Sequence, residues 1–131
     1  MSAAEVNQTI LIVEDDALNM RLFQDLLTAR GYNTIACRDG ALALALAIER
    51  RPELVIMDIQ LNGMSGLELT QRLKADERTR RIPVLAVTAF AMRNDEKRIR
   101  AAGCDGYLPK PIQVDSFFNA VAAIALERAL A

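Results

Sequence analysis

The chain has no histidine and no tryptophan, and its aromatic side chains amount to four phenylalanines and two tyrosines. Without histidine, neither Ser-His-Asp nor Cys-His catalysis is available. A histidine-containing zinc site is excluded as well. There are only two cysteines, Cys37 and Cys104, far apart and each beside apolar residues. That is too few for a disulfide framework, and two reduced, buried thiols in a cytoplasmic protein are expected. Neither charge sign is in excess: 16 basic and 17 acidic side chains leave a formal charge of -1. A nucleic-acid binder normally carries a basic surplus, so nucleic acid is not an expected partner. Long hydrophobic runs are missing too. The stretch from Ile82 to Met92 is too short to span a bilayer, and Met1 to Gln8 is too polar for a secretory signal, so membrane insertion is not expected.

What is present is alternation. In 131 residues, 52% of them hydrophobic, one domain with its own core is expected over the whole chain, from about residue 8 to about residue 128. Thr9–Val13, Leu54–Met57 and Val84–Val87 are continuous apolar runs, the pattern of parallel strands covered on both faces. Tyr32–Cys37 and Gly106–Leu108 are weaker strand candidates. Between them lie helical patterns. One stripe comprises Leu18, Leu22, Phe23, Leu26 and Leu27, and another Val114, Phe117, Phe118, Val121 and Ala125. A third helix carries Leu69 and Leu73 and opens with Ser65 and Glu68 as a capping box. Ala41–Arg51 alternates leucine with alanine, but its length and composition favour a helix buried over a wide arc. Ala91–Ala102 is crowded with charge and has only Met92 and Ile99 as large apolar residues, so a weakly anchored helix is expected there. Its mixed charges suit a solvated face, with a docking surface for an acidic partner as the alternative. Five βα units in succession predict an α/β fold, an open, doubly wound parallel sheet with five helices. Its functional crevice lies at the carboxyl ends of the strands.

Those ends carry Glu14-Asp15-Asp16 after the first strand, Asp58 after the third, Thr88-Ala89 after the fourth and Lys110-Pro111 after the fifth. Like charges brought together disfavour joint ionisation, and a hard divalent cation relieves this. Mg²⁺ suits such a set, since it takes one or two carboxylates and keeps waters for substrate oxygens. Asp58 beside it is then a nucleophile towards phosphorus. Lys110 neutralises phosphoryl charge and Thr88 donates a hydrogen bond to a phosphoryl oxygen. Asp16 is read as an ordinary helix cap.

Taken in order, Leu11-Ile12-Val13-Glu14-Asp15-Asp16, Met57-Asp58-Ile59, Val87-Thr88-Ala89 and Lys110-Pro111 resemble the receiver domain of two-component response regulators. The intervals match as well: 43 residues from Asp15 to Asp58, 30 to Thr88 and 22 to Lys110. The resemblance covers nearly the whole chain. It implies a flavodoxin-like (CheY-like) fold with strand order 2-1-3-4-5, and Asp58 as phosphoacceptor. It implies Mg²⁺ held by Asp15, Asp58 and the backbone carbonyl of Gln60, with Glu14 acting largely through metal-bound water. It implies a cis peptide before Pro111 and a switch formed by Thr88 and Tyr107. The phosphoryl donor is expected to be a phosphohistidine on a sensor histidine kinase/phosphatase or a histidine phosphotransferase. Output is expected through protein contacts on the face of the fourth helix, fifth strand and fifth helix, with no output domain and no enzymatic activity beyond the chain's own phosphorylation and dephosphorylation. Leu18-Asn19-Met20, Thr88–Met92 and Asp95–Ile112 are further similar to single-domain receivers of cell-division signalling.

Two positions tune the expectation. In receivers the residues two after the phosphoacceptor and two after the threonine influence water attack. Here they are Gln60 and Phe90, and the bulk of Phe90 predicts slow dephosphorylation. Asn62 stands where many receivers have proline, which leaves the stiffness of that loop open. The alternatives are a phosphoryl shuttle, an aspartate-nucleophile phosphohydrolase and a nucleotide-binding module. The phosphohydrolase normally has a second aspartate where this chain has Gln60. The nucleotide module requires a glycine-rich loop where Glu14-Asp15-Asp16 stands.

Overall fold

A computed structural model describes residues 8–89 and 93–130. Five strands, β1 (Thr9–Val13), β2 (Asn33–Cys37), β3 (Leu54–Asp58), β4 (Val84–Thr88) and β5 (Gly106–Pro109), form one parallel sheet in the order β2-β1-β3-β4-β5. Five α-helices alternate with them: α1 (Ala17–Ala29), α2 (Ala43–Arg50), α3 (Gly66–Ala75), α4 (Arg93–Ala101) and α5 (Val114–Leu130). A 3₁₀ turn at Gly40–Leu42 precedes α2, and a two-residue hairpin pairs Gln60–Leu61 with Met64–Ser65. The expected architecture and strand order are both present.

The period-two alternation of the strands divides the core. Ile10, Ile12, Leu54, Ile56, Leu85 and Val87 face α1 and α5, where Phe23 and Phe117 meet with ring centroids 5.5 Å apart. Leu11, Val13, Val55, Met57, Val84 and Ala86 face the opposite side, where α2, α3 and α4 lie. Both cysteines are buried and free in that second layer.

Two helical stripes differ from expectation. In α1 the buried side chains are Met20, Phe23 and Leu27, whereas Leu18 is 80% exposed and Leu22 39%. At 100° per residue Leu18 lies about 200° from Met20, so the helix, started by its Asp16 cap, turns Leu18 away from the sheet. In α5 Phe117 and Val121 are buried but Val114, in the first turn, is exposed; the side chain of Ala125 is outside the described residues. In α2 the fully buried positions are Ala43 and Ala47, and Leu44, Leu46 and Ile48 are only half-buried. The small residues let the helix approach the sheet closely, and its leucines spread to the flanks. The helix stops at Arg51, which takes a left-handed conformation (φ 47°) ahead of Pro52.

In α4, among the described residues, Ile99 is the only fully buried side chain. At about 1.5–3 kcal/mol per buried large apolar side chain, α4 has roughly a third of the anchorage that α1 draws from Met20, Phe23 and Leu27. The weakly held helix expected from composition is present.

Candidate functional site at the carboxyl edge of the sheet

Register brings the polar residues together. Val13 pairs with Met57, Asp58 with Val87 and Thr88 with Pro109. The strands therefore end level, and Glu14, Asp58, Thr88 and Lys110 arrive at one edge. Glu14 continues β1 by donating its N–H to the Cys37 carbonyl (3.0 Å). Asp16 caps α1, its Oδ2 accepting from the Asn19 N–H at 2.9 Å. Lys110 stands between Pro109 and Pro111, and the Lys110–Pro111 peptide is cis. Its N–H donates to the Thr88 carbonyl at 2.7 Å.

Glu14, Asp58 and Thr88 are buried, while Asp15 and Lys110 are half-buried. Lys110 Nζ bridges Glu14 Oε1 at 3.2 Å and Asp58 Oδ2 at 3.3 Å. Asp58 Oδ1 accepts the Gln60 N–H at 2.9 Å, and Glu14 Oε2 accepts the Asp16 N–H at 3.2 Å. Asp15 Oδ2 accepts the Asn62 N–H at 2.6 Å. Carboxylate oxygens of Glu14, Asp15 and Asp58 lie within 4.8 Å of one another.

One lysine serves two buried carboxyls here, with a third beside them. Burial pushes the Glu14 carboxyl up to about 7, and the neighbouring Asp58 adds to the rise against the opposing pull of the Asp16 N–H and Lys110. Burial alone would lower Lys110, but the Asp58 and Glu14 carboxyls outweigh it and hold the ammonium above its ordinary value. The site is overcharged with acid unless a second cation enters. Oxygen-only donors at this spacing fit a hard divalent ion, and Glu14, Asp15 and Asp58 are the side chains that could hold it.

Glu14, Asp15, Asp58, Thr88 and Lys110 thus meet at one edge. Gln60 is adjacent, with an exposed side chain and its main-chain N–H on Asp58. A cleft of about 250 Å³, lined in part by Gln60, Ser65, Thr88 and Ile99, runs from this edge towards α4. Tyr107 is half-buried on β5, opposite Ala86, with the Arg100 guanidinium 6.0 Å from its ring centroid. Phe90 lies outside the described residues. Three contributors have no signal in side-chain motifs. Arg38 Nη2 donates to the Asp15 main-chain oxygen (3.0 Å) from the loop after β2. The Asn62 N–H is a main-chain donor, and Gly66 acts by having no side chain at all.

A parallel sheet in the order 2-1-3-4-5 with an acid triad and one lysine at its carboxyl edge defines a class, and residues 10–122 match the response regulator receiver domain; the chain belongs to that family. Within it the chain is 55% identical to the polar-differentiation response regulator DivK of Brucella anthropi, over 87% of this chain and 93% of that protein. It is 54% identical to DivK of Brucella ovis, over 88% and 94%. It is therefore a DivK-like receiver. Among solved structures, the receiver domain of the sensor histidine kinase PA1611 of Pseudomonas aeruginosa is 31% identical and superposes with a TM-score of 0.83, covering 91% of this chain and 98% of that one. In that structure a magnesium ion is coordinated in the active-site cleft. The chemotaxis protein CheY4 of Vibrio cholerae, 23% identical with a TM-score of 0.85 over 90% and 98% of the two chains, has the same fold. Among the described residues no helix is long and apolar enough to cross a membrane.

Proposed function

We propose that this receiver is a phosphorylation-controlled switch in which Asp58 accepts a phosphoryl group from a phosphohistidine on a sensor histidine kinase/phosphatase or a histidine phosphotransferase. The observation that carries this reading is the Lys110 ammonium, 3.3 Å from the Asp58 carboxylate, with the Glu14–Asp15–Asp58 oxygen cluster beside it.

An Asp58 carboxylate oxygen attacks phosphorus, the bond from phosphorus to the partner's imidazole nitrogen breaks, and that nitrogen keeps the electron pair. The transfer is mainly a matter of positioning and charge. The Gln60 N–H on Asp58 Oδ1 orients the carboxylate for it. Lys110 follows the charge onto the phosphoryl oxygens, released from its two carboxyl partners as it does so. The Thr88 hydroxyl, buried beside the cleft, donates to the same oxygens. Asp15, Asp58 and the Gln60 carbonyl, with Glu14 acting largely through metal-bound water, would hold Mg²⁺, which would supply the positive charge that the acid triad lacks.

Movement of Thr88 towards the phosphoryl group alters the packing open to Tyr107, and α4 answers because Ile99 is its one buried anchor among the described residues. Output then passes through the α4–β5–α5 face to protein partners in the cytoplasm. The chain turns over no substrate besides its own phosphoryl group. The similarity to polar-differentiation regulators supports a role in cell-division control. Gln60 and the bulky Phe90 stand at the two sequence positions that influence water attack in receivers, which supports a long-lived aspartyl phosphate.

Incubation with a small phosphodonor and Mg²⁺, followed by intact mass, tests the reading. The gain of one phosphoryl group in wild type, its loss in Asp58→Asn and the absence of phosphoester turnover are expected. No mass gain at any Mg²⁺ concentration overturns it.

A further inference from the structure

Asp15 is fastened by two hydrogen bonds from other loops, one to its main chain and one to its side chain. Arg38 Nη2 holds its carbonyl oxygen at 3.0 Å, and the Asn62 N–H holds its Oδ2 at 2.6 Å. The second bond depends on what occupies position 62. Leu61 pairs with Met64 across a two-residue loop, Asn62-Gly63. Gly63 has φ +76°, and among the described residues Arg51 is the only non-glycine with positive φ. A negative φ followed by a positive one is the pattern of a type II turn, with Asn62 at its first central position. The turn's own hydrogen bond does not use that N–H, which is therefore available to Asp15.

Proline is the residue favoured at this position of a type II turn, and proline has no N–H. A receiver with proline here keeps the turn and loses the bond. We infer that the main-chain N–H of Asn62 is a positioning group for the divalent-cation site, fixing the Asp15 carboxylate so that its other oxygen is presented as a ligand. The asparagine side chain is incidental, and its importance lies in not being proline. Outer hydrogen bonds of this kind hold ligating carboxylates in orientation, and their loss typically weakens metal affinity about tenfold or more.

This inference rests on the proposed Mg²⁺ site but adds a residue to it. Mg²⁺ binding to the unphosphorylated full chain is measured by calorimetric titration for wild type, Asn62→Ala and Asn62→Pro. Amide hydrogen exchange at residue 62 is followed in the two forms that have an amide. The expected result is equal affinity in wild type and Asn62→Ala, a roughly tenfold weaker Asn62→Pro, and a protected amide in wild type and Asn62→Ala. Thermal melts of the metal-free proteins identify any loss of fold. If Asn62→Pro is folded and binds Mg²⁺ as wild type does, the inference fails and the proposed function stands. If Asn62→Ala is weakened to the same degree, the side chain is the active group and the inference again fails. If wild type binds no Mg²⁺, the inference and the metal-dependent reading fall together.

Discussion

The start of α3 lies so close to the main chain of Asp58 that a Cβ on Gly66 would sit 2.1 Å from the Asp58 carbonyl oxygen and 2.7 Å from the Ile59 Cα. The Gly66 N–H reaches back to the Ile59 carbonyl at 2.9 Å. Both contacts are main chain, so neither can swing aside as a flexible side chain would. Gly66→Ala is expected to cost about 3 kcal/mol or more, measured by urea denaturation. The surviving folded fraction should phosphorylate slowly, because relief of the clash displaces Asp58. A variant with wild-type stability and phosphorylation rate would show that the approach is looser than this.

Among the described residues, Lys110 is the one cation that pairs with both buried carboxyls. Lys110→Met leaves Glu14 and Asp58 facing each other without it. Removing one partner of a buried pair costs about 3–5 kcal/mol, and the half-exposure of Lys110 brings the expected loss to about 1–3 kcal/mol at pH 7. Mg²⁺ binding should persist while phosphoryl transfer falls steeply. Transfer at the wild-type rate in Lys110→Met would remove the role given to this ammonium.

Glu14 makes the metal-free stability pH-dependent. Its folded value, about 7, lies above the ordinary 4.5, chiefly because the carboxyl is buried. Over that window the native state keeps a proton that the unfolded chain has released, so stability falls as pH rises through it and levels off above. Chemical denaturation across this range should show the decline in the presence of a chelator. The decline should flatten in Glu14→Gln, and also when Mg²⁺ is added, since a cation favours the ionised site. A metal-free slope identical in wild type and Glu14→Gln would place the effect on another group.

The fold was legible because the three central strands are apolar on both faces, and burial between two helical layers is the arrangement such runs allow. The convergence of Glu14, Asp15, Asp58, Thr88 and Lys110 was legible because these polar side chains stand at the ends of apolar strands. The helical faces were read less well. Leu18 and Val114 are hydrophobic, yet each lies in the first turn of its helix, where phase is set by where the helix begins rather than by composition. The alanine face of α2 was hidden for a related reason: close approach favours the small residue, while sequence reading weights the large one. Asn62 and Gly66 act through main-chain geometry, which leaves no trace in side-chain type, and Arg38 sets its guanidinium on a main-chain oxygen that only the fold brings within reach. Asn62 was visible only as a residue that proline often replaces.

Away from the site, Asp105 joins three elements, and its two partners can be separated. Its Oδ2 accepts the N–H of buried Val84 at 2.8 Å and pairs with Lys74 Nζ at 3.0 Å. The same ammonium donates to the Ile82 carbonyl at 2.8 Å, which ties the end of α3 to the start of β4. The ion pair is part-solvated, with side-chain exposures of 21% and 43%, so it is worth less than about 1 kcal/mol. The Val84 N–H has no such recourse to water, and stranding it costs about 1–3 kcal/mol. Asp105→Ala should therefore destabilise by about 2 kcal/mol, since it removes both interactions. Asp105→Asn keeps an acceptor oxygen for Val84 and should cost less than about 1 kcal/mol. Equilibrium unfolding of the two variants decides between the terms. Equal losses would assign the stabilisation to charge and leave the Val84 hydrogen bond with little weight, whereas the expected order makes a single carboxylate oxygen the anchor of the edge where β4 begins.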